Sequence, residues 1–228
     1  MADDKIIIAD YIIYPPYQMA EKGLTSDFIN VLESRLPNLS FMSKRITKER
    51  LLALLKQNKP VLIPFAQKSW FDSNYQFAQS TPLIEEDVHI ISHRDKSLEP
   101  DKIVAGSLFL GLNNYNYQKI DELVNTGQIK RYSCASDDLC LTMLLAKRGD
   151  FLVMAKGTFE RFTAAKSAFK NNLYISEQPF YQHHRALLAA NISHQDWQRI
   201  LSVIEGLNKD PSWQQIKQSY GFNLAKQP

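Results

Sequence analysis

Residues 6–27 read IIIADYIIYPPYQMAEKGLTSD, and this stretch decides the fold. Its apolar start, Ile6-Ile7-Ile8-Ala9, is typical of a strand that is buried on both faces. The prolines at positions 15 and 16 exclude a helix there, because each keeps the residue before it extended. A helix is predicted next, with Thr25 or Ser26 as its N-cap and with apolar residues at helical spacing: Phe28, Val31, Leu32 and Leu36.

The same alternation continues along the chain. Further strands are predicted at residues 39–42, 61–63, 88–91, 108–112, 129–132, 151–154, 173–175 and 185–190. Helices are expected to begin at Thr47, Ser136 and Ser193 as caps and at Asp210-Pro211, and one helix is expected over residues 158–169. Strands that alternate with helices predict an α/β fold with largely parallel sheets, and two sheets of similar size would divide this chain naturally.

Composition and charge exclude several classes of protein. The 228 residues are 44% hydrophobic with only 8 Gly, which excludes a disordered or collagen-like chain. A net charge of +3 without a Lys/Arg cluster gives no reason to expect a nucleic-acid partner. No apolar run is long enough for a transmembrane helix.

The first residues, Met1-Ala2-Asp3-Asp4, lack the basic and apolar parts of a signal peptide. Such an abrupt start is expected of a periplasmic domain whose leader has been removed, although a cytoplasmic protein that begins here fits these residues equally well. The two cysteines, Cys134 and Cys140, flank the predicted Ser136 cap. This spacing favours a local disulfide that pins the helix terminus, and two buried free thiols are the alternative.

Motifs of common enzymes and cofactor sites are absent from the sequence, which contains no Gly-x-Gly-x-x-Gly, Gly-x-Ser-x-Gly or His-Glu-x-x-His. His89 and His93 lie four residues apart beside acidic residues, but four metal ligands at tetrahedral spacing are not evident. The sequence therefore predicts no enzymatic activity, no cofactor and no metal site.

The order of short motifs resembles type 2 periplasmic solute-binding proteins, and most closely the polar-amino-acid-binding receptors of ABC transporters. Pro15-Pro16-Tyr17, followed by Gly-x-x-x-Asp from Gly23 to Asp27, is similar to the start of that family. Later segments of the chain also match family motifs in the right order, so that the resemblance spans nearly the whole sequence: Ser80-Thr81-Pro82-Leu83, Leu145-Ala146-Lys147-Arg148-Gly149-Asp150, and Trp213 to Tyr220-Gly221-Phe222.

This resemblance implies a two-lobed fold in which each lobe is a mostly parallel sheet flanked by helices, joined by two hinge crossings. Lobe 1 would comprise residues 1–87 plus 184–228, and lobe 2 residues 88–183. It implies a monomeric, exported receptor that closes around a small polar organic ligand and presents it to a membrane permease. A ligand-sensing domain of a membrane signalling protein and, less readily, a dehydratase-like enzyme on the same fold are the alternatives.

One departure from the family concerns the ligand. The family usually places an Arg that clamps a ligand carboxylate just before the Phe-Ser-x-Pro-Tyr segment. Here Asn74 falls closest to that place, within Trp70-Phe71-Asp72-Ser73-Asn74-Tyr75. The missing clamp argues against a free α-amino acid as the ligand.

Candidate ligand-binding residues lie in the loops that follow predicted strands, because open α/β sheets bind ligands outside the carboxyl ends of their strands. Aromatic faces with a few amides and a cation suit a small polar ligand with a flat or apolar part, and Trp70 is expected to stack on it. Ordinary packing of the aromatic residues, and helix capping by the asparagines, are the alternatives. The candidates are Tyr14, Tyr17, Gln67, Lys68, Ser69, Trp70, Asn113, Asn114, Tyr115, Tyr117, Lys156 and Thr158.

Overall fold

The computed structural model describes residues 5–12, 14–19, 22–113 and 115–222. The chain divides into two compact units: unit 1 is Met1–Glu85 with His184–Pro228, and unit 2 is Glu86–His183. Whether these parts correspond to lobes that fold by themselves, with the boundaries predicted above, stays a prediction. Within the described ranges, no helix is both long and apolar enough to cross a membrane.

Nine strands and eight α-helices alternate along the described chain. The strands are β1 Ile6–Asp10, β2 Phe41–Arg45, β3 Val61–Ala66, β4 Ala78–His93, β5 Leu108–Leu112, β6 Lys130–Cys134, β7 Phe151–Ala155, β8 Leu173–Ile175 and β9 Tyr181–Ala190. The helices are α1 Leu24–Arg35, α2 Lys48–Lys56, α3 Gln118–Asn125, α4 Asp137–Leu145, α5 Lys156–Ala165, α6 Ser167–Asn172, α7 His194–Leu207 and α8 Pro211–Ser219. The predicted α/β class is confirmed.

The sheet of unit 1 is built around β1, which pairs in parallel with β2 and with β3. On its other side β3 pairs antiparallel with β9, which places Val61 opposite Ala190. All six residues of β3 are buried, as expected for an apolar strand covered by helices on both faces. One face packs on residues of α1, α7 and α8, including the fully buried Phe28 and Trp213, and the other packs on residues of α2.

Unit 2 has its own group of paired strands and its own core. Strands β7, β5 and β6 run parallel, while β4 pairs antiparallel with β7 and with β8. Its core is built from aromatic and aliphatic residues such as Phe109, Phe151, Leu141 and Leu144, all fully buried. Because β5, β6 and β7 are parallel, the loops that follow them leave the same edge of the sheet.

The N-terminal motif forms a tight junction in unit 1. Gly23, rather than Thr25 or Ser26, is the N-cap of α1, so the cap prediction is wrong. Ser26 instead occupies the third helical position, where its Oγ accepts from the backbone N–H of Gly23 at 3.0 Å. The Tyr17 carbonyl accepts from the N–H of Thr25 at 3.1 Å, and a Cβ on Gly23 would lie 2.3 Å from that carbonyl oxygen. Only glycine fits this approach without a backbone shift.

The first and the last of the motifs that resemble the binding-protein family meet in this junction. The Tyr220 hydroxyl donates to Oδ2 of Asp27 at 2.9 Å, and both side chains are buried. Burial, with the Asp27 carboxylate as a second cause, raises the pKa of Tyr220 to about 12. The last part of the chain therefore completes the core that the first helix begins.

Strand β4 is much longer than the predicted strand over residues 88–91. It begins at Ala78 and includes Glu85, Glu86 and Asp87, whose charges conceal the strand in the sequence. These acidic side chains have polar neighbours on β9: Glu85 lies 3.2 Å from Nδ1 of His184, and Asp87 accepts from Nε2 of Gln182 at 3.0 Å. Cross-strand polar pairs of this kind make a charged strand segment compatible with a sheet.

Candidate functional site

Unit 1 brings together the loops that follow β1 and β3, which leave the same edge because these strands are parallel. Tyr14 and Tyr17 follow β1, and their rings meet edge to face with centroids 5.6 Å apart. Trp70 ends a short 3-10 helix, Lys68–Trp70, directly after β3. The prolines before Tyr17 keep this segment out of a helix.

Arg185, at the middle of β9, joins these aromatic residues. Its guanidinium carbon lies 4.7 Å from the Tyr17 ring centroid and 4.8 Å from that of Trp70. Its Nη2 donates to the Tyr14 hydroxyl at 3.1 Å. Arg185 is only 3% exposed, so its contacts with the rings are largely desolvated and correspondingly stronger. Arg185 was not among the predicted site residues, since its only signal in the sequence is a cation next to the apolar run of a buried strand.

The other predicted residues of unit 1 have different environments. Tyr17 lies in the core at 1% exposure, Trp70 is partly buried against the apolar core, and Lys68 and Ser69 are exposed. Nε2 of Gln67 donates to the His184 carbonyl at 3.2 Å. In this unit, Trp70 therefore offers both partial exposure and a supported ring.

Lys48 is a second support for Trp70 that sequence reasoning missed. Its ammonium donates to the Trp70 carbonyl at 3.1 Å and lies 5.9 Å from the centroid of the Phe71 ring. Burial lowers the pKa of the Lys48 ammonium, and neighbouring Glu49 partly opposes this shift. Two cations therefore support Trp70: Arg185 contacts its ring, and Lys48 binds its backbone carbonyl.

Unit 2 collects predicted residues at the shared edge of its parallel strands. Tyr115 and Tyr117 follow β5, with ring centroids 6.1 Å apart. The Tyr115 side chain is 40% exposed, whereas burial raises the pKa of the Tyr117 hydroxyl, which accepts from the backbone N–H of Leu112 at 3.0 Å. Tyr115 is therefore the accessible ring of this pair, and Tyr117 packs beneath on Phe109 at 5.1 Å.

Asn113, Lys156 and Thr158 lie at the same edge, while Asn114 falls outside the described residues. Asn113 is exposed and does not cap α3, whose N-cap is Tyr117. Helix α5 begins directly at the end of β7 with the exposed Lys156, and Thr158 is buried in its first turn. Their role in binding stays a prediction.

Asp137 is a further titratable group at this edge, and sequence reasoning passed over it. It is the first residue of α4, after β6 and its cap Ser136. Burial raises the pKa of its carboxyl to about 6, although the N-terminus of a helix favours the ionised form. The only sequence signal was an acidic residue at a helix start, which is common for reasons of helix dipole alone.

This shifted carboxyl predicts a pH-dependent stability. The folded state binds the Asp137 proton more tightly than the unfolded state, so this contribution is present below the usual pKa near 3.8 and is lost as the pH rises through about 6. We therefore expect Asp137→Asn to raise the free energy of unfolding at pH 8 by about 1 kcal/mol, with no gain at pH 4. Urea titrations at both values measure this.

The adjacent Asp138→Asn is the matched control for this prediction. Asp138 is 47% exposed and pairs with Lys166, so its replacement should cost a few tenths of a kcal/mol at most at pH 8. A clear loss of stability in Asp137→Asn at pH 8 would show instead that the folded protein stabilises the ionised carboxylate.

The predicted disulfide is confirmed. Cys134, at the end of β6, is bonded to Cys140 in α4 with a Cα–Cα distance of 5.6 Å. The bridge encloses the Ser136 cap, whose Oγ accepts from the N–H of Leu139 at 3.2 Å. The Cys134 carbonyl also accepts from the N–H of Asn113 at 2.9 Å, which ties the loop after β5 to the bridged turn.

The histidines considered for a metal site have other partners. Nδ1 of the buried His89 lies 2.8 Å from the Ser176 carbonyl, and Nδ1 of His93 lies 2.7 Å from Asp95. In the part of the chain that the structure describes, no group of three or more His, Cys, Asp or Glu side chains could hold a metal ion.

Comparison with known proteins shows the fold of this chain. No protein-family model and no curated protein matches the sequence. Among solved structures, a probable amino-acid ABC transporter extracellular-binding protein from Bacillus subtilis is similar with a TM-score of 0.75 at 14% identity, over 95% of this chain and 97% of that one. A putative L-cystine ABC transporter from Listeria monocytogenes gives a TM-score of 0.72 at 13% identity, over 95% of each chain.

A third similar structure is a ligand-binding core from Nostoc punctiforme in complex with L-glutamate. Its TM-score is 0.72 at 14% identity, over 94% of this chain and 98% of that one. At such identities the likeness establishes the fold, which is the α/β fold of type 2 periplasmic binding proteins.

Proposed function

We propose that this chain is an extracytoplasmic solute-binding protein that closes two lobes around a small polar organic ligand. The ligand-bound form would be presented to an ABC transporter. The fold supports this proposal, since the similar structures include proteins described as amino-acid ABC transporter binding proteins. An exported location is supported by the disulfide, because such bonds persist in oxidising compartments.

The observation that carries the proposal is the collection of aromatic and charged side chains at the carboxyl edges of the parallel strands. In unit 1 these are Trp70 and the Arg185 guanidinium behind it, and in unit 2 they are Tyr115, Tyr117 and Asp137. Ligands of open α/β sheets bind at such edges. Apolar ring faces combined with a few polar groups suit a small molecule that has a flat or apolar part and at least one polar end.

The candidate residues of unit 1 and those of unit 2 differ in their chemistry. The Arg185 guanidinium withdraws electron density from the Trp70 face, so a neutral or anionic planar group should stack there better than a second cation. Asp137 would accept hydrogen bonds from donors or cationic groups of the ligand. We therefore expect the Trp70 face to favour a planar neutral or anionic group, and the Asp137 side to favour a group that donates hydrogen bonds or carries positive charge.

A second candidate function is that of a ligand-sensing domain of a membrane signalling protein. It is favoured by the likeness to the Nostoc punctiforme ligand-binding core, which is a ligand-binding part described on its own. The coding sequence beyond residue 228 distinguishes the two: a sensor would continue into a transmembrane helix and a signalling module.

Ligand-induced stabilisation tests the proposal. The protein is unfolded thermally in the presence of L-arginine, L-cystine, L-glutamate and a panel of non-amino-acid planar carboxylates and amines. A true ligand at a hundredfold excess over its Kd should stabilise the fold by about 2.7 kcal/mol. The compound should be recovered chemically unchanged after prolonged incubation, and its turnover would show an enzyme instead.

A further inference from the structure

The loop after β5 is held by one side chain from the neighbouring strand. Arg131 lies in β6, and its Nη2 donates to two carbonyls, that of Leu112 at the end of β5 at 2.8 Å and that of Tyr115 in the loop at 2.9 Å. Its Nη1 donates to Oδ1 of Asp121 at 2.9 Å, and its guanidinium carbon lies 5.3 Å from the centroid of the Tyr117 ring. One guanidinium thus contacts four residues: Tyr115 itself, Leu112 before it in the sequence, and Tyr117 and Asp121 after it.

The residues that Arg131 contacts also fix each other. Oδ2 of Asp121 accepts from the backbone N–H of Tyr117 at 2.7 Å, while Oδ1 of the same carboxylate faces Arg131. The Tyr117 hydroxyl in turn accepts from the N–H of Leu112 at 3.0 Å. These bonds close a ring of contacts through Leu112, Tyr117, Asp121 and Arg131, with Tyr115 at its outer side.

We propose that Arg131 is a positioning residue for ligand binding, which acts by holding Tyr115 in its binding conformation before the ligand arrives. This inference rests on the proposed function. A loop that is already ordered loses less conformational entropy when the ligand binds. The binding free energy is therefore more favourable by the entropy cost that is no longer incurred. The exposed Tyr115 ring is the group through which this effect reaches the ligand.

Arginine is required for this role because two carbonyls and a carboxylate are bound at once. The planar fork of a guanidinium presents several N–H groups in fixed directions and can stack on a ring at the same time, whereas a lysine ammonium is a point charge. The Nε of Arg131 is buried and has no hydrogen-bond partner among the described residues. The guanidinium is therefore committed to the loop through its two terminal nitrogens.

Hydrogen exchange tests the holding step without any ligand. The backbone N–H groups of Tyr115 and Tyr117 are bonded to the Leu112 carbonyl and to Asp121, so their exchange reports on the loop. In Arg131→Met and in Arg131→Lys we expect exchange at both to accelerate about tenfold or more, while the amides of Phe109 and Leu110 in β5 stay unchanged. Arg148→Met, which removes an exposed arginine of the same unit, is the matched control and should change neither.

Binding measurements then test the positioning role, with whichever compound of the thermal-unfolding panel binds the wild-type protein: L-arginine, L-cystine, L-glutamate, or one of the planar carboxylates and amines. Arg131→Lys, which keeps the charge and the stem, should weaken binding about fivefold or more. In a Tyr115→Ala background the same change should have almost no further effect, because the loss is transmitted through Tyr115. A merely structural role would give additive losses instead.

The outcomes separate the two proposals. Unchanged exchange in Arg131→Lys overturns the holding role, whatever the ligand is. Accelerated exchange with unchanged affinity, or additive losses in the Tyr115→Ala background, overturns the positioning role. If the wild-type protein binds none of these compounds nor any other of the panel, the proposed function fails and takes the positioning role with it, while the exchange result still decides whether Arg131 holds the loop.

Discussion

Trp70→Ala is expected to weaken ligand binding about thirtyfold or more, since removal of a large aromatic anchor commonly costs about 2 kcal/mol of binding free energy. The ring is partly exposed at the edge of the unit 1 sheet, and Arg185 and Lys48 hold it from the protein side. Titration calorimetry with the ligand identified by thermal unfolding measures the loss. Tryptophan emission of the wild-type protein should shift in the same titration.

The same substitution should also reduce the stability of the ligand-free protein. An exposed ring would leave it almost unchanged, but Trp70 packs against the apolar core on both sides of the unit 1 sheet and against Arg185. We expect a loss of about 1–2 kcal/mol in the free energy of unfolding, smaller than the 3–5 kcal/mol typical of a fully buried aromatic residue. Urea unfolding without ligand gives this value.

Two control substitutions show what the loss of an exposed and of a fully buried aromatic ring does to affinity and stability. Tyr132→Ala removes a 51% exposed ring elsewhere on the chain and should change neither affinity nor stability by much. Trp213→Ala removes a fully buried tryptophan and should mainly destabilise. If Trp70→Ala behaves like Trp213→Ala, or if it leaves the affinity for a verified ligand unaltered, Trp70 is a packing residue and the centre of the proposed site is elsewhere.

Gly23→Ala should cause a large loss of stability, because the added methyl group would collide with backbone atoms. The new Cβ would lie 2.3 Å from the Tyr17 carbonyl oxygen and 3.0 Å from the Gln18 Cα, both backbone atoms that cannot rotate away. Moving them would disturb the bonds from Leu24 and Thr25 to the Pro16 and Tyr17 carbonyls. We expect a loss of about 2–4 kcal/mol in the free energy of unfolding, measured by urea titration.

Gly206→Ala provides the comparison. Gly206 lies inside α7, and a Cβ there would meet no atom within 4 Å. Because alanine favours a helix over glycine, this variant should be more stable by about 0.5–1 kcal/mol. Equal effects of the two substitutions would mean that the close approach at Gly23 relaxes easily and does not determine the junction.

Local signals in the sequence predicted much of the secondary structure because they act within a few residues. Thr47, Ser136, Ser193 and Asp210 each accept a hydrogen bond from the first turn of their helix, as a side-chain cap should. The disulfide could also be predicted, since its two cysteines flank one of these caps. Gly23 escaped prediction because its role depends on the Tyr17 carbonyl, and no periodic pattern reports such an approach.

The candidate site could be predicted only in its loops. The rule that ligands bind at the carboxyl ends of parallel strands selected Trp70, Tyr115 and Tyr117, but the groups that hold these rings lie on other helices and strands. Arg185 lies more than a hundred residues from Trp70, and Arg131 appears in the sequence as an ordinary charge on an edge strand. Such contacts depend on tertiary pairing and register, which one sequence without its structure does not specify.

The pairing of β3 with β9 has a consequence for synthesis of the chain. Val61 emerges from the ribosome long before its partner Ala190, whereas every strand of unit 2 lies between them. If unit 2 folds by itself as predicted, we expect it to acquire its tertiary structure while the first 85 residues still lack most of β9, and α7 and α8. Until then the sheet of unit 1 lacks the apolar residues that α7 and α8 contribute to one of its faces, so the N-terminal part of the nascent chain keeps part of its core exposed until the last segment arrives.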